Sequence, residues 1–407
     1  MRVLQVLLPV AALLGLPAAP VAAQSLPGPG HFAVAFSGFQ TAAVAAATGG
    51  PSAGEGRVLS ETELEVSPLR RTKGGTLLGA RGVINLTAAT GRQTASWRAA
   101  IPEWSVLASG TFGRIEVGER AGFPQSLVGF TPSEIALVSA PFGPVGGTRL
   151  DPDGRLPTRA LPGPLAARVN ALSTLGYAAR FYADRSAKAI WVTPRTRSGF
   201  YGAVSYAPTV RQRPGALLGQ GGQAALPLPA QPRRKDLLQA AAVWNHRSAD
   251  LDLTLAATWS HVRELGVDGR WRGLGSVSGG VSGTLHDTWA FGLSAGIDSR
   301  APTGGARPYG VIASLDRVSG PWTVGGYVQH ARAARRDGVP GDDTLDVIEG
   351  GASLQVDRNH DLLGAGRYTE ARVFVAGYHF RLATNAPQPE PVQQGLVILA
   401  GAQFSFF

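Results

Sequence analysis

The sequence predicts an all-β fold, a transmembrane antiparallel β-barrel of about sixteen strands, and three observations predict it. Segments of roughly ten residues that alternate apolar with small or polar side chains follow one another from about residue 31 onward. Short connections between these segments alternate with long ones, and aromatic residues stand near the segment ends. This combination is typical of strands that face lipid on one side and water on the other.

The first 23 residues have the layout of a secretory signal peptide. Met1-Arg2 give a positive start, residues 3–19 are almost wholly apolar, and Val21-Ala22-Ala23 offer small residues for cleavage. The apolar stretch is short for a spanning helix and contains two prolines. We therefore expect residues 1–23 to direct export and residues 24–407 to form one outer-membrane β-barrel domain.

The composition narrows the classes of protein and partner. The chain has 54 Gly, no Cys and 16% charged residues, which is unusual for a soluble enzyme and leaves no disulfide framework. The net charge of +10 comes mostly from arginine. A positive net charge of this size is compatible with three kinds of partner, namely nucleic acid, an anionic membrane surface and anionic solutes. The export signal makes nucleic acid a poor candidate, so we expect no nucleic-acid partner.

Sixteen segments carry the strand pattern, and an even number is usual for bacterial barrels. The predicted strands are 31–39, 59–67, 76–89, 100–109, 112–119, 187–194, 199–207, 236–247, 250–262, 273–284, 287–298, 306–316, 321–332, 345–357, 370–382 and 394–407.

Three segments show the alternation best, and in a barrel their apolar faces are expected to point to lipid. These faces are Leu251, Leu253, Leu255, Ala257 and Trp259 in 250–261; Trp289, Phe291, Leu293, Ala295 and Ile297 in 287–298; and Phe374, Ala376, Tyr378, Phe380 and Leu382 in 371–382. A soluble sandwich would show the same alternation, with the apolar face packed on a second sheet.

Connection lengths favour the barrel over the sandwich. The links 110–111, 195–198, 248–249, 285–286 and 317–320 are short, with 68–75 and 358–369 longer. The links 40–58, 90–99, 120–186, 208–235, 263–272, 333–344 and 383–393 are mostly long. Outer-membrane barrels show short turns at one end and long loops at the other.

Aromatic residues mark the strand ends. Phe112, Phe200, Trp289 and Trp322 each follow a short turn, and Trp259 lies near the long-loop end of its strand. Rings at both ends of the strands predict girdles at the two headgroup layers. An open sheet edge in lipid would leave backbone groups unpaired, so the first strand is expected to close on the last.

With these features the chain resembles the general Gram-negative porins, especially the trimeric kind of alphaproteobacteria. The stretch 111–120, TFGRIEVGER, resembles the strand that precedes the pore loop of that family, and 184–208 resembles the strand pair that follows it. A C-terminal Phe407 on an amphipathic last strand resembles the family's assembly signal. These features span nearly the whole chain, whereas links 208–235 and 333–344 match nothing recognisable.

The resemblance implies a homotrimer whose third long loop, here 120–186, folds inward and forms the pore constriction. By analogy with the family, acidic loop residues face basic wall residues. The residues expected to line the constriction are Glu134, Asp151 and Asp153 in the loop, with Arg81 and Arg114 on the wall. Arg149 and Arg155 also lie in the loop and are expected to make the constriction strongly basic. The Ala-rich part, 166–182, fits either a short helix or an extra strand pair.

The charge of this loop suggests a selectivity. Residues 120–186 contain seven arginines and four acidic residues, an excess of three positive charges. We therefore hypothesise a preference for anions, although basic loop residues also suit the phosphates of lipopolysaccharide, an expected neighbour together with outer-membrane lipid.

Enzyme motifs are missing from the sequence. It contains no His-Glu-x-x-His and no Gly-x-x-x-x-Gly-Lys, and we predict no catalytic residue, metal or cofactor. The first hypothesis is an outer-membrane porin for passive diffusion of small hydrophilic solutes and ions. The alternatives are a substrate-specific channel and a plugged barrel with enzymatic or adhesive loops.

Overall fold

The computed structural model of the chain is a closed antiparallel β-barrel, as the sequence predicts. The structure describes residues 28–48, 56–90, 95–120, 185–210, 216–222, 233–266, 268–299, 307–334, 341–358, 369–385 and 392–406, together with Leu161, Leu165, Arg168, Val169 and Leu172. In this part of the chain, no helix is long and apolar enough to cross a membrane.

Within these described ranges, seventeen strands make up the sheet. They are β1 (Phe32–Thr48), β2 (Gly56–Arg71), β3 (Leu77–Thr90), β4 (Ala95–Gly110), β5 (Gly113–Glu119), β6 (Ala187–Val192), β7 (Phe200–Val210), β8 (Ala216–Gly222), β9 (Arg234–Arg247), β10 (Leu251–Leu265), β11 (Trp271–Leu285), β12 (Trp289–Asp298), β13 (Tyr309–Ser319), β14 (Trp322–Ala334), β15 (Asp342–Arg358), β16 (Thr369–Asn385) and β17 (Gln393–Phe406).

Sixteen of these strands form the ring. Each pairs antiparallel with the next along the chain, except that β7 pairs directly with β9. The ring closes because β1 pairs with β17, from Gly38 opposite Phe406 to Thr48 opposite Leu396. The predicted closure of the first strand on the last is therefore confirmed, and every predicted strand overlaps a strand of the ring.

Strand β8 lies in the link 208–235, where the sequence predicts no strand. It pairs with the first half of β4, from Ser96 opposite Gly222 to Ile101 opposite Ala216. The partner strand β5 ends at Glu119, opposite Trp104, and so leaves that half of β4 uncovered. Unpaired backbone groups in lipid cost several kcal/mol each, which explains why β8 completes the wall there.

Side chains alternate across the wall as the sequence predicts for β10 and β12. In β10, Leu255 and Trp259 are exposed on the outer face, while Thr258 and Ser260 are buried inside. In β12, Leu293 and Ile297 lie outside, and Ser294 lies inside. These strands therefore present their apolar rows to the membrane and their polar rows to the lumen.

The predicted orientation of segment 371–382 is wrong. Phe374, Ala376, Tyr378, Phe380 and Leu382 all point into the barrel and are at most 5% exposed, whereas Val373 and Val375 face outward. The inward row packs in one hydrophobic cluster with Leu161, Leu165, Val169 and Leu172 of the long loop. Alternation alone does not distinguish an apolar row covered by lipid from one covered by a loop.

The two ends of the barrel differ, but less than predicted. One end, the short-turn end, has links such as 111–112 and 286–288; the other, the long-loop end, carries 120–186. Several predicted long loops are shorter because the strands continue: 40–58 reduces to 49–55, and 90–99 to 91–94.

The turn after β11 has a defined geometry. His286 and Asp287 both have positive φ, near 51°. Two such residues between paired strands are characteristic of a type I′ turn, whose twist matches that of the strands. The aromatic residue after this turn, Trp289, is exposed on the outside, as are the other predicted girdle residues Phe112, Phe200, Trp259 and Trp322.

Candidate functional site

An ion-paired cluster occupies the inner face of β2 to β6. Its centre is Arg81 on β3, which donates to Glu65 on β2 at 2.6 Å and to Glu103 on β4 at 2.8 Å. All three positions belong to the inward phase of neighbouring strands. Charge-assisted hydrogen bonds of this length fix the arginine between the two carboxylates.

Glu103 also reaches both ends of the long loop. Arg120 follows β5 directly, and Arg185 precedes β6 by two residues. The Arg120 Nη1 atom and the Arg185 Nε atom each lie 3.4 Å from the Glu103 carboxylate. One carboxylate on β4 thus holds the two points where the chain leaves and re-enters the wall.

Glu116 on β5 extends the cluster. It forms ion pairs with Arg114 on the same strand and with Arg120, whose Nε lies 3.0 Å away. Ser105 on β4 donates to it at 3.5 Å. Glu116 is 1% exposed, so its charge is compensated by the two arginines rather than by water.

Ten of the charged side chains on this face are balanced in charge. We call the following set the inner charged patch: Glu61, Glu63, Glu65, Arg81, Glu103, Arg114, Glu116, Arg120, Arg185 and Lys188. It contains five acidic and five basic side chains. The patch as a whole is therefore not expected to select between anions and cations. Ion selectivity depends on the charges that face the patch across the lumen.

The described part of the long loop lies inside the barrel. Leu161, Leu165, Val169 and Leu172 are at most 8% exposed and pack against inward residues of β1, β2 and β14 to β17. Leu165, Arg168, Val169 and Leu172 are helical, and their spacing places them on one helix face. Of the two alternatives for this region, the described positions therefore support the helix.

Arg168 anchors this helix to the wall. It binds the carboxylate of Asp343 on β15 with two hydrogen bonds, of 3.0 and 2.6 Å, and also contacts Thr384 on β16. Thr384 in turn donates to Asp343 at 2.8 Å. The loop is thus held by an apolar face and a bidentate ion pair on the side of the barrel away from β5 and β6.

Small polar side chains line the remaining inner wall. Ser205 donates to Gln239 at 3.1 Å, and Thr258 and Ser278 are hydrogen-bonded across β10 and β11. Near the long-loop end, Arg234 donates to Glu264 at 2.6 Å. The lumen is therefore apolar where the loop packs, whereas the rest of the described inner wall combines such polar side chains with two smaller apolar clusters on β6, β7 and β9 to β11.

The predicted site residues divide into two groups. Arg81 and Arg114 lie on the inner wall and carry ion pairs, as stated above. Glu134, Arg149, Asp151, Asp153 and Arg155 lie outside the described residues. Arg120, Arg168 and Arg185 enter the sequence analysis only through the charge of the loop. The position of Arg120 and Arg185 at the loop ends is a signal for their role, whereas nothing local indicates the partner of Arg168.

Comparison with known proteins agrees with this architecture. A family model described as Gram-negative porin matches residues 10–373. The solved anion-selective porin from Comamonas acidovorans is similar at 13% identity, covering 92% of this chain and 100% of that chain, with a TM-score of 0.53. A variant of the porin of Rh. blastica gives 14% identity over 92% and 100%, with a TM-score of 0.48. None of the curated proteins searched matches.

Proposed function

Since the chain belongs to the Gram-negative porins and is a channel of the outer membrane, we propose that small hydrophilic solutes and ions cross it by passive diffusion, with a preference for anions. The observation that carries the proposal is the closed ring whose outer face is apolar and whose inner face carries the buried polar and charged side chains. Passage then requires only a hydrated opening of suitable width and fixed charges around it.

The proposed constriction lies between the long loop and the inner charged patch. Arg81 and Arg114 would line it from the wall, with Glu134, Arg149, Asp151, Asp153 and Arg155 facing them from the loop. The docking of Arg168 on Asp343 supports this arrangement, because it holds the loop inside the barrel. Fixed charges at the narrowest point act on a solute more strongly than charges elsewhere in the lumen.

The preference for anions rests on the loop. Segment 120–186 has an excess of three positive charges, and two of its arginines, Arg120 and Arg185, are already counted in the inner charged patch. A structurally similar protein is described as anion-selective, which is consistent with the proposal. The reversal potential across a bilayer with a KCl gradient tests it: the expected sign is that of chloride permeation, and a potassium sign contradicts it.

Assembly and export are further parts of the proposal. We expect a homotrimer surrounded by lipopolysaccharide, made from a chain whose residues 1–23 are removed during export. N-terminal sequencing of protein from outer membranes should begin at Gln24. Mass measurement of the unheated detergent complex should give three copies, and a monomer mass contradicts the trimer.

A plugged barrel is the second candidate, because the helical residues of the loop fill part of the lumen with apolar packing. Such a barrel would use its loops for enzymatic or adhesive work. Conductance in planar bilayers separates the two candidates: a diffusion porin gives open, ohmic steps in groups of three, whereas a plugged barrel gives none.

A further inference from the structure

Two cations stand side by side on the membrane-facing surface near the long-loop end. Lys235 on β9 and Arg263 on β10 are direct cross-strand partners. Arg263 shares its phase with Trp259 on the outer face, whereas its neighbours Val262 and Glu264 are buried inside. Like charges directly opposite each other on a sheet are destabilising unless an anion compensates them.

The described residues around the pair supply one carboxylate. Asp236 lies 3.5 Å from the Arg263 guanidinium and also accepts a hydrogen bond of 3.1 Å from the Tyr206 hydroxyl. Lys235 lies 4.3 Å above the ring of Trp271. We call Tyr206, Lys235, Asp236, Arg263 and Trp271 the outer basic patch.

The nearby acidic and basic groups do not neutralise this patch. Arg233, next to β9, is exposed and adds a third positive charge. Asp268, in the link after β10, binds Arg272 at 2.7 Å, and this guanidinium holds the pKa of the Asp268 carboxyl below its usual value. The Asp268 carboxylate is therefore paired with Arg272, which lies outside the patch.

A backbone irregularity positions the only carboxylate of the patch. The register between β9 and β10 shifts between His261 and Arg263, and Asp236 has a φ of 55°. A bulge of this kind redirects a side chain at the end of a strand. Here it places Asp236 close enough to Arg263 to orient the guanidinium while leaving Lys235 without an acidic partner among the described residues.

A second outward polar group, on β14 to β16, provides a contrast. His330 and Arg381 both contact Asp346, and Arg332 pairs with Asp342 at 2.8 Å. The two arginines there, Arg332 and Arg381, each have a carboxylate on the outer surface. The outer basic patch instead presents more cations than anions toward the membrane.

The patch stands at the level where lipid headgroups are expected. Trp259, Trp271 and Tyr206 surround it, and such aromatic residues prefer the headgroup layer. Long loops of outer-membrane barrels are extracellular, so this layer is the outer leaflet. A cation facing that layer finds phosphate groups there and avoids the cost of facing hydrocarbon.

We propose that Lys235 and Arg263 bind a phosphate group of the phosphorylated glycolipid of the outer leaflet. Cross-strand neighbours lie about 5 Å apart, so one tetrahedral phosphate can accept hydrogen bonds from both side chains. Trp271 and Tyr206 cover the adjoining sugar. This site rests on the proposal that lipopolysaccharide surrounds the barrel, and it is independent of how solutes cross the lumen.

The test measures binding of bis-phosphorylated lipid A to the folded full-length barrel in detergent by native mass spectrometry. The double variant Lys235→Gln/Arg263→Gln is expected to bind about tenfold more weakly than the parent. Arg381→Gln removes an outward arginine from the balanced group and is expected to bind like the parent. Equal binding by the double variant and the parent overturns the site.

Two further arms identify the ligand and guard against a folding defect. Lipid A without phosphates should bind the parent and the double variant equally weakly, and tight binding to the parent would overturn recognition of phosphate. Lys235→Gln alone preserves the Arg263–Asp236 pair and should weaken binding by about threefold; unchanged binding contradicts the site. If the double variant no longer forms the trimer, the patch belongs to a subunit interface and the lipid assignment is overturned. If the parent itself binds no lipid A, the proposal that lipopolysaccharide surrounds the barrel is refuted.

Discussion

Arg168 of the long loop and Asp343 of β15 form a bidentate ion pair inside the barrel, 175 positions apart in the chain. Both Asp343 oxygens accept from the guanidinium, and the side chain of Asp343 is only 8% exposed. Paired geometry of this kind is both strong and directional. The pair therefore determines where the loop helix stands relative to the wall.

Removing the anchor should loosen the loop. We expect Asp343→Asn to weaken docking by about 1–3 kcal/mol, because Arg168 then lacks its charged partner. Single-channel recordings should show more current fluctuation and a changed mean conductance. Asp342→Asn is the matched control, because that neighbour pairs with Arg332 on the outer face; identical recordings from both variants would contradict the anchoring role.

Glu103 should influence selectivity through charge. Glu103→Gln removes one negative charge from the inner charged patch and the shared partner of Arg81, Arg120 and Arg185. We expect the anion-to-cation permeability ratio to rise by roughly twofold. Asp346→Asn makes the same charge change on the outer face, and the reversal potential of that control should stay unchanged. A fall in the ratio for Glu103→Gln would refute the argument.

Arg81 should act in the opposite direction. Arg81→Gln leaves Glu65 and Glu103 without their common donor, so the patch becomes net negative. The same salt-gradient measurement should move toward cations, again by roughly twofold. Both variants remove the hydrogen bond between Arg81 and Glu103. If their reversal potentials shift in the same direction, the loss of that bond, rather than the change of charge, determines the selectivity.

The apolar face of the loop helix should contribute to stability. Leu172 is 2% exposed, and we expect Leu172→Ala to cost about 2–5 kcal/mol of packing free energy. Hydrogen exchange of the loop amides should accelerate, with the strands unchanged. Leu293→Ala deletes the same atoms from the outer face of β12, where they contact lipid, and should leave loop exchange unaffected.

The ring of sixteen strands was predictable because alternation and turn residues are local signals. The closure of β1 on β17 was predictable for a physical reason, since lipid tolerates no open edge. Strand β8 was not predictable: its sequence, ALLGQGG, lacks clean alternation, and it forms because β5 is too short to cover β4.

The site was less accessible to sequence reasoning. Alternation gave the inward phase of Arg81 and Arg114 but no partners, because Glu65 and Glu103 become neighbours only through strand register. The orientation of Phe380 was predicted wrongly because an apolar residue fits lipid and loop packing equally well. The Arg168–Asp343 pair depends on the path of the loop, which no local pattern records.

The most direct test of the account uses the absence of native cysteine. Thr254 and Leu255 are adjacent on β10, the first facing the lumen and the second the membrane. Conductance is recorded in bilayers for Thr254→Cys and Leu255→Cys before and after a charged, water-soluble thiol reagent. We expect the reagent to lower the conductance of Thr254→Cys alone; a reversed response, or a barrel that conducts no current at all, would contradict a water-filled lumen inside an apolar outer wall.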